Sequence, residues 1–136
     1  MGAAKRYECL RDYAPSNLLH GYRVFVNIDF MIVSFGDKAT SDLFHSISSR
    51  KARNLPNQIH EVALYKLDVI NAAHNLDDLK SPPGNRLEPL KGDLKGFHSV
   101  RINNQWRVAF MWESNAAHDV QIVTITNREV TYDPIK

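Results

Sequence analysis

The sequence predicts an α+β domain, two N-terminal helices packed on one face of a small antiparallel sheet. Three observations predict it. Two apolar stripes of helical period lie between residues 37 and 75, the segment Ser81-Pro82-Pro83-Gly84-Asn85 then ends all helical pattern, and everything beyond alternates apolar with polar residues in runs close enough to form hairpins. Strands joined by short turns make an antiparallel sheet, whose apolar face needs the helices for cover.

Residues 1–30 show no clear period, being broken at Pro15, Ser16 and Asn17, and their apolar stretch from Tyr22 to Phe30 reads either as one strand or as no element. Met31 to Phe35 is a short apolar run and predicts a strand that Gly36-Asp37 ends. Asp37 suits the cap of a first helix carrying Ala39, Leu43, Phe44 and Ile47 on one side. After the basic stretch around Arg50, Lys51 and Arg53, Pro56 fits the first turn of a second helix. Ile59, Val62, Ala63, Lys66, Leu67 and Ile70 then recur at intervals of three and four, with Lys66 the only polar member of the stripe. This helix ends between Asn71 and Asn75. The two prolines at 82 and 83 cannot continue it, because each lacks an N–H and restricts its predecessor, so a loop carries the chain to a new layer.

Leu87 to Leu90 predicts a short strand and Lys91-Gly92-Asp93 a turn; Val120 to Ile125 predicts the last strand. Between them Val100 and Ile102 alternate with Ser99 and Arg101, and Trp106, Val108, Phe110 and Trp112 with Arg107, Ala109 and Met111. If the apolar members share the core face, Val100 must oppose Val108 and Ile102 must oppose Trp106, since a slip of one residue inverts both faces. The connecting loop is then Asn103-Asn104-Gln105, and asparagine tolerates the left-handed conformation such a loop usually needs. Arg101 therefore faces Arg107 on the side away from the core. Like charges opposed in a sheet cost from a few tenths to about 1 kcal/mol. An anionic ligand would account for the pair, as would neutralisation by Glu88, Glu113 or Asp119, or extension of both side chains into solvent.

With 136 residues, 43% of them hydrophobic, the chain has the size and composition of one domain with a modest core. Cys9 is the only cysteine, so no intramolecular disulfide forms, and the six histidines are scattered, which argues against a metal site. A membrane-spanning run and a secretory leader are both absent, so a cytoplasmic protein is expected. The formal charge is only +2, but Lys80 to Arg107 carries six basic side chains (Lys80, Arg86, Lys91, Lys95, Arg101, Arg107) against Glu88 and Asp93. Such a patch attracts phosphates, and it is also common on proteins that never meet nucleic acid.

The run from Leu79 through Ser81-Pro82-Pro83-Gly84-Asn85-Arg86-Leu87-Glu88-Pro89-Leu90-Lys91-Gly92-Asp93, followed by His98-Ser99-Val100-Arg101-Ile102-Asn103-Asn104-Gln105-Trp106-Arg107-Val108, closely resembles the HigB branch of the RelE-like toxins of bacterial toxin-antitoxin pairs. Met31-Ile32-Val33-Ser34-Phe35 is similar to that family's usual beginning. The resemblance divides the chain into an extension at 1–30, a toxin domain at 31–123 and a divergent tail at 124–136. It implies a RelE-like fold of the microbial ribonuclease type that binds in the ribosomal A site and cleaves mRNA, with neither metal nor cofactor. The implied partners are the ribosome with its mRNA, a HigA-like helix-turn-helix antitoxin and, through the antitoxin complex, operator DNA; no membrane is involved. In such a reaction the RNA 2′-hydroxyl attacks its own phosphate and cations stabilise the charge developing on the phosphate oxygens. By the resemblance Arg107 takes the scissile phosphate, Lys91 the phosphate or leaving oxygen, and Arg101 joins them as a catalytic cation. Arg86, Lys95 and His98 complete the expected RNA contacts with Lys91, Arg101 and Arg107. Glu88 stands where some relatives carry a histidine thought to take part in catalysis.

The tail departs from the family's pattern. Relatives commonly finish on an apolar strand and then Asp-Tyr-His, whereas Gln121-Ile122-Val123 here leads into Thr124-Ile125-Thr126-Asn127, none of which ionises near neutral pH. Codons exist by which a one-nucleotide deletion in Asp-Tyr-His-stop reads Thr-Ile-Thr-Asn, so a shifted frame is one explanation and natural divergence, with Tyr132 and Asp133 as substitutes, the other. The same explanation makes residues 1–30 a translated leader ahead of a start at Met31. Two functions follow: a ribosome-dependent endoribonuclease, or an impaired homologue that binds antitoxin, operator complex or ribosome without cutting RNA. A stand-alone RNA-stacking domain fits less well, because Trp106, Phe110 and Trp112 fall on the predicted core face.

Overall fold

The computed structural model describes residues 31–126 together with two short strands, β1 (Tyr7–Glu8) and β7 (Glu129–Thr131). The apolar stretch at Tyr22 to Phe30, Cys9, and the tail residues Tyr132 and Asp133 lie outside the described residues. Between the short strands the chain forms β2 (Ser34–Phe35), α1 (Lys38–Phe44), α2 (Arg50–Arg53) and α3 (Asn57–Ala72), and then β3 (Glu88–Pro89), β4 (His98–Arg101), β5 (Trp106–Glu113) and β6 (Ala116–Thr126). Three 3₁₀ turns, Leu76–Lys80, Pro83–Asn85 and Gly92–Leu94, shape the connections around β3.

Asp37 caps α1 as its sequence position suggests, its carboxylate accepting the Thr40 N–H at 2.7 Å. The helix stops earlier than its apolar period implies. Ser46 takes a left-handed φ of 60°, its N–H donates to Leu43 O at 3.2 Å, and the Ile47 N–H reaches back to Asp42 O at 2.8 Å, the paired bonds of a Schellman stop. Ile47, expected on the buried stripe, is consequently 41% exposed. A further single turn, α2, is capped by Ser49 Oγ, which accepts the Ala52 N–H at 3.1 Å. In α3 the expected residues Ile59, Ala63, Lys66, Leu67 and Ile70 are buried, but Val62 at the stripe's margin is 40% exposed.

The sheet runs β1-β2-β6-β5-β4-β3, with β7 paired to the far end of β6. It is mixed, which corrects the expectation of an antiparallel sheet: β2 lies parallel to β6, Phe35 opposite Val120, while the other pairs are antiparallel. The hairpins are local and legible, but β2 finds its partner only after the helices and β3 to β5 have been laid down, and a parallel pair needs such a long crossover. The β4–β5 register is the one the apolar alternation requires, with Val100 opposite Val108 and Arg101 opposite Arg107. Asn103 Oδ1 organises the loop by accepting the N–H groups of Gln105 and Trp106, each at 2.8 Å. Ser114 and Asn115, with φ of 52° and 59°, form the two-residue turn between β5 and β6.

The main core lies between the helices and the sheet, where Phe35, Phe44, Ile59, Leu67 and Ile70 meet Val100, Val108, Phe110 and Ile122. Trp106 and Trp112 pack at its margin, so these aromatic rings share the helix side of the sheet. A second, smaller cluster covers part of the opposite face: Leu90 and Leu94 from the turn after β3 sit on Ala109 and Val123, flanked by Phe97 and Ile125. Thr124 to Thr126 continue β6, with Thr124 opposite Trp106 and the Ile125 N–H donating to Gln105 O at 2.8 Å.

Candidate active site

The β4–β5 register places Arg101 and Arg107 side by side on the face away from the helices, and the two side chains then diverge. Arg107 is only 5% exposed. Its Nε donates to Ser99 Oγ at 2.6 Å, and its Nη2 donates to Ser99 O at 3.2 Å and to the carbonyl of Arg86. The remaining nitrogen, Nη1, faces Glu88, with 3.6 Å to Oε1. A guanidinium has five N–H groups, so three are engaged by the fold and the two on Nη1 are left beside a carboxylate whose side chain is 53% exposed. Arg101 is half-buried and donates Nη2 to Asn104 Oδ1 in its own hairpin loop.

Arg86 arrives by way of the proline loop. The turn Pro83–Asn85 ends in Arg86, whose backbone is left-handed at φ 43° and ψ 57°, and this conformation directs its carbonyl at Arg107 while its side chain stays exposed. Asn85, fully buried, holds the loop from inside by donating Nδ2 to Leu79 O at 3.2 Å and Ser81 O at 3.1 Å, and by accepting from Lys66 Nζ at 2.5 Å. Burial pushes the Arg107 guanidinium below the ordinary arginine range, Glu88 opposes that shift, and the like charges of Arg101 and Arg86 add to it. The group is still a cation at neutral pH, because arginine starts so far above it. The site is thus a fixed, largely desolvated cation with one carboxylate and two further cations around it, a geometry suited to an anion that can displace or share Glu88.

Of the residues singled out from the sequence, the structure brings Arg86, Arg101 and Arg107 together. Lys91 and Lys95 are exposed at the two ends of the Gly92–Leu94 turn. That turn packs through Leu90 and Leu94 on Ala109, so both lysines belong to the same side of the sheet as Arg107. His98 does not join them. It alternates onto the helix side with Val100, its ring stacks on Phe110 with centroids 6.4 Å apart, and its buried Nδ1 has no hydrogen-bond partner among the described residues. Glu88, one of the three carboxylates the sequence offered to neutralise the arginine pair, is the one beside Arg107, and three residues of the constellation carried no assigned role from the sequence: Ser99, Asn85 and Lys66. Lys66 gave a signal as the one polar member of an apolar stripe, whereas Ser99 and Asn85 had none beyond lying in the quoted run.

Residues 22–123 match the HigB-like toxin family, described as the RelE-like toxin of type II toxin-antitoxin system HigB. The chain belongs to this family. The match takes in residues 22–30 ahead of Met31 and ends at Val123. The toxin is 37% identical over 87 residues to Toxin HigB-1 of Vibrio cholerae serotype O1, an overlap of 64% of this chain and 90% of that protein. It is 35% identical over 68 residues to an uncharacterized protein of Haemophilus influenzae, covering 50% of this chain and 67% of that one. No helix among the described residues is long and apolar enough to cross a membrane.

Proposed function

We propose that this toxin is a metal-independent endoribonuclease of the microbial ribonuclease fold that cuts mRNA in the ribosomal A site. The observation that carries the reading is the Arg107 guanidinium, pinned on two of its nitrogens and presenting the third beside the Glu88 carboxylate. The scissile phosphate takes the place of Glu88 at Nη1, with Arg101 as the second cation over the phosphate oxygens. Glu88, displaced but held nearby by charge, accepts the 2′-hydroxyl proton as that oxygen attacks phosphorus. The bond from phosphorus to the 5′-oxygen breaks, and Lys91 donates a proton to that oxygen. The products are a 2′,3′-cyclic phosphate and a 5′-hydroxyl end. Arg86 and Lys95 contact neighbouring phosphates; His98, on the other face of the sheet, has no part.

This reading moves the acid-base work from the tail to β3 and so fits a chain that lacks the terminal Asp-Tyr-His. A HigA-like helix-turn-helix antitoxin neutralises the toxin in the cytoplasm and carries the complex to operator DNA. The competing reading, a binder that no longer cuts, is favoured by one observation: Thr124 and Ile125 extend β6 without an ionisable side chain. Mapping mRNA ends after adding the toxin to translating ribosomes separates the two. Cuts that appear only with ribosomes and leave 5′-hydroxyl ends support the enzyme, whereas intact mRNA beside tight antitoxin binding supports the binder.

A further inference from the structure

Lys66 is the only charged side chain buried along α3, at 8% exposure, and it has no carboxylate partner among the described residues. Burial pushes its pKa down, and the positive charge of Arg101 pushes it further in the same direction. The Tyr65 ring, 5.5 Å from Nζ, and one neutral acceptor, Asn85 Oδ1, are what the fold offers it. A buried charge so poorly matched is a cost that an apolar side chain of similar length would remove. What the ammonium does achieve is a connection. Asn85 is gripped on one side by Lys66 and on the other by the carbonyls of Leu79 and Ser81, and the next residue is Arg86, whose carbonyl holds Arg107.

We propose that Lys66 is a positioning residue of the RNA-cleaving site: through Asn85 it fixes the Pro83–Arg86 loop so that the Arg86 carbonyl occupies Arg107 Nη2 and leaves Nη1 for the phosphate. The inference rests on the reading of Arg107 and Glu88 as the reacting site. It differs from a plain packing role in what it predicts, because Lys66→Met keeps the buried stem, removes the unmatched charge and leaves the helix stripe more apolar. Removal of the buried charge offsets the hydrogen bond lost at the buried Asn85 Oδ1, so the fold keeps most of its stability while the site loses order.

The test uses the full chain labelled with nitrogen-15. The Arg107 Nε–H signal, assigned by its loss in Arg107→Lys, reports the bond to Ser99 through its protection from solvent exchange. Lys66→Met and Asn85→Ala are each expected to lower that protection by at least about tenfold, and the double variant by no more than either alone, with the melting temperature of Lys66→Met within a few degrees of the parent's. Val62→Ala on the exposed side of α3 serves as the control. Unchanged protection in both single variants, additive losses in the double, or a loss that merely follows a fall in melting temperature overturns the proposal. On ribosome-bound mRNA, Lys66→Met is expected to reduce kcat by about 100-fold with KM held, and an unaltered kcat overturns the proposal as well. A parent chain that does not cut at all refutes the reading of the site, while the exchange measurement still decides the tie from Lys66 to Arg107.

Discussion

Arg107 shows how much a single side chain's neighbours decide its role. Opposed arginines in a sheet pointed to an anion, yet most of the Arg107 guanidinium serves the fold, with Ser99 supplying two of its three internal acceptors. Ser99→Ala leaves the backbone acceptor but strips the buried Nε–H of its partner, and a loss of about 1–3 kcal/mol in stability is expected by chemical denaturation. Asp37 gives a prediction with a pH sign. Burial raises its pKa above the ordinary carboxyl range, against the hydrogen bonds from Thr40 and the charge of Lys51, which lower it. The folded state therefore holds this proton more tightly than the unfolded chain, and stability falls as pH rises from the ordinary carboxyl range through the raised value. Asn keeps the cap's acceptor without the charge. Asp37→Asn is thus expected to match or exceed the parent in stability at pH 7, with the difference shrinking as pH is lowered towards 4, where urea midpoints measured at both pH values check it.

At the scale of elements, what was legible in the sequence was what local chemistry fixes. The β4–β5 register followed from alternation and from an asparagine-rich loop, and the structure has the pairing that alternation demands. The end of α1 was hidden because Ser46 holds a left-handed position where glycine usually marks the stop. The partner of β2 was hidden because nothing within a five-residue apolar run specifies a strand laid down some eighty residues later, at Val120. The turn that carries Lys91 and Lys95 does advertise itself: Gly92 and Gly96 adopt φ of 70° and 96°. A Cβ at Gly92 meets no atom within 4 Å, so the penalty of Gly92→Ala is purely conformational. It is expected to be about 1–2 kcal/mol by thermal or urea melts, without any clash to relieve.

For the molecule as a whole, the sheet divides the labour. Its helix side holds the main core, His98 and the rings of Trp106, Phe110 and Trp112; its other side holds the arginine pair, with a small apolar cluster anchoring the lysine-bearing turn. The candidate site was half legible for this reason. Arg101 and Arg107 could be placed by register alone, but Glu88 on β3 and the Arg86 carbonyl in the loop before it reach Arg107 along a path that depends on α3 and on packing over both faces. The proposed mechanism puts proton transfer in this β3 carboxylate and not in a terminal cluster. The most direct measurement is the single-turnover rate of cleavage of ribosome-bound mRNA by the chain as it stands and by Glu88→Gln, which removes the base but not the hydrogen-bonding shape. Glu88→Gln is expected to lower the rate about 100- to 10,000-fold with ribosome binding retained, and a rate equal to the parent's would put proton transfer elsewhere.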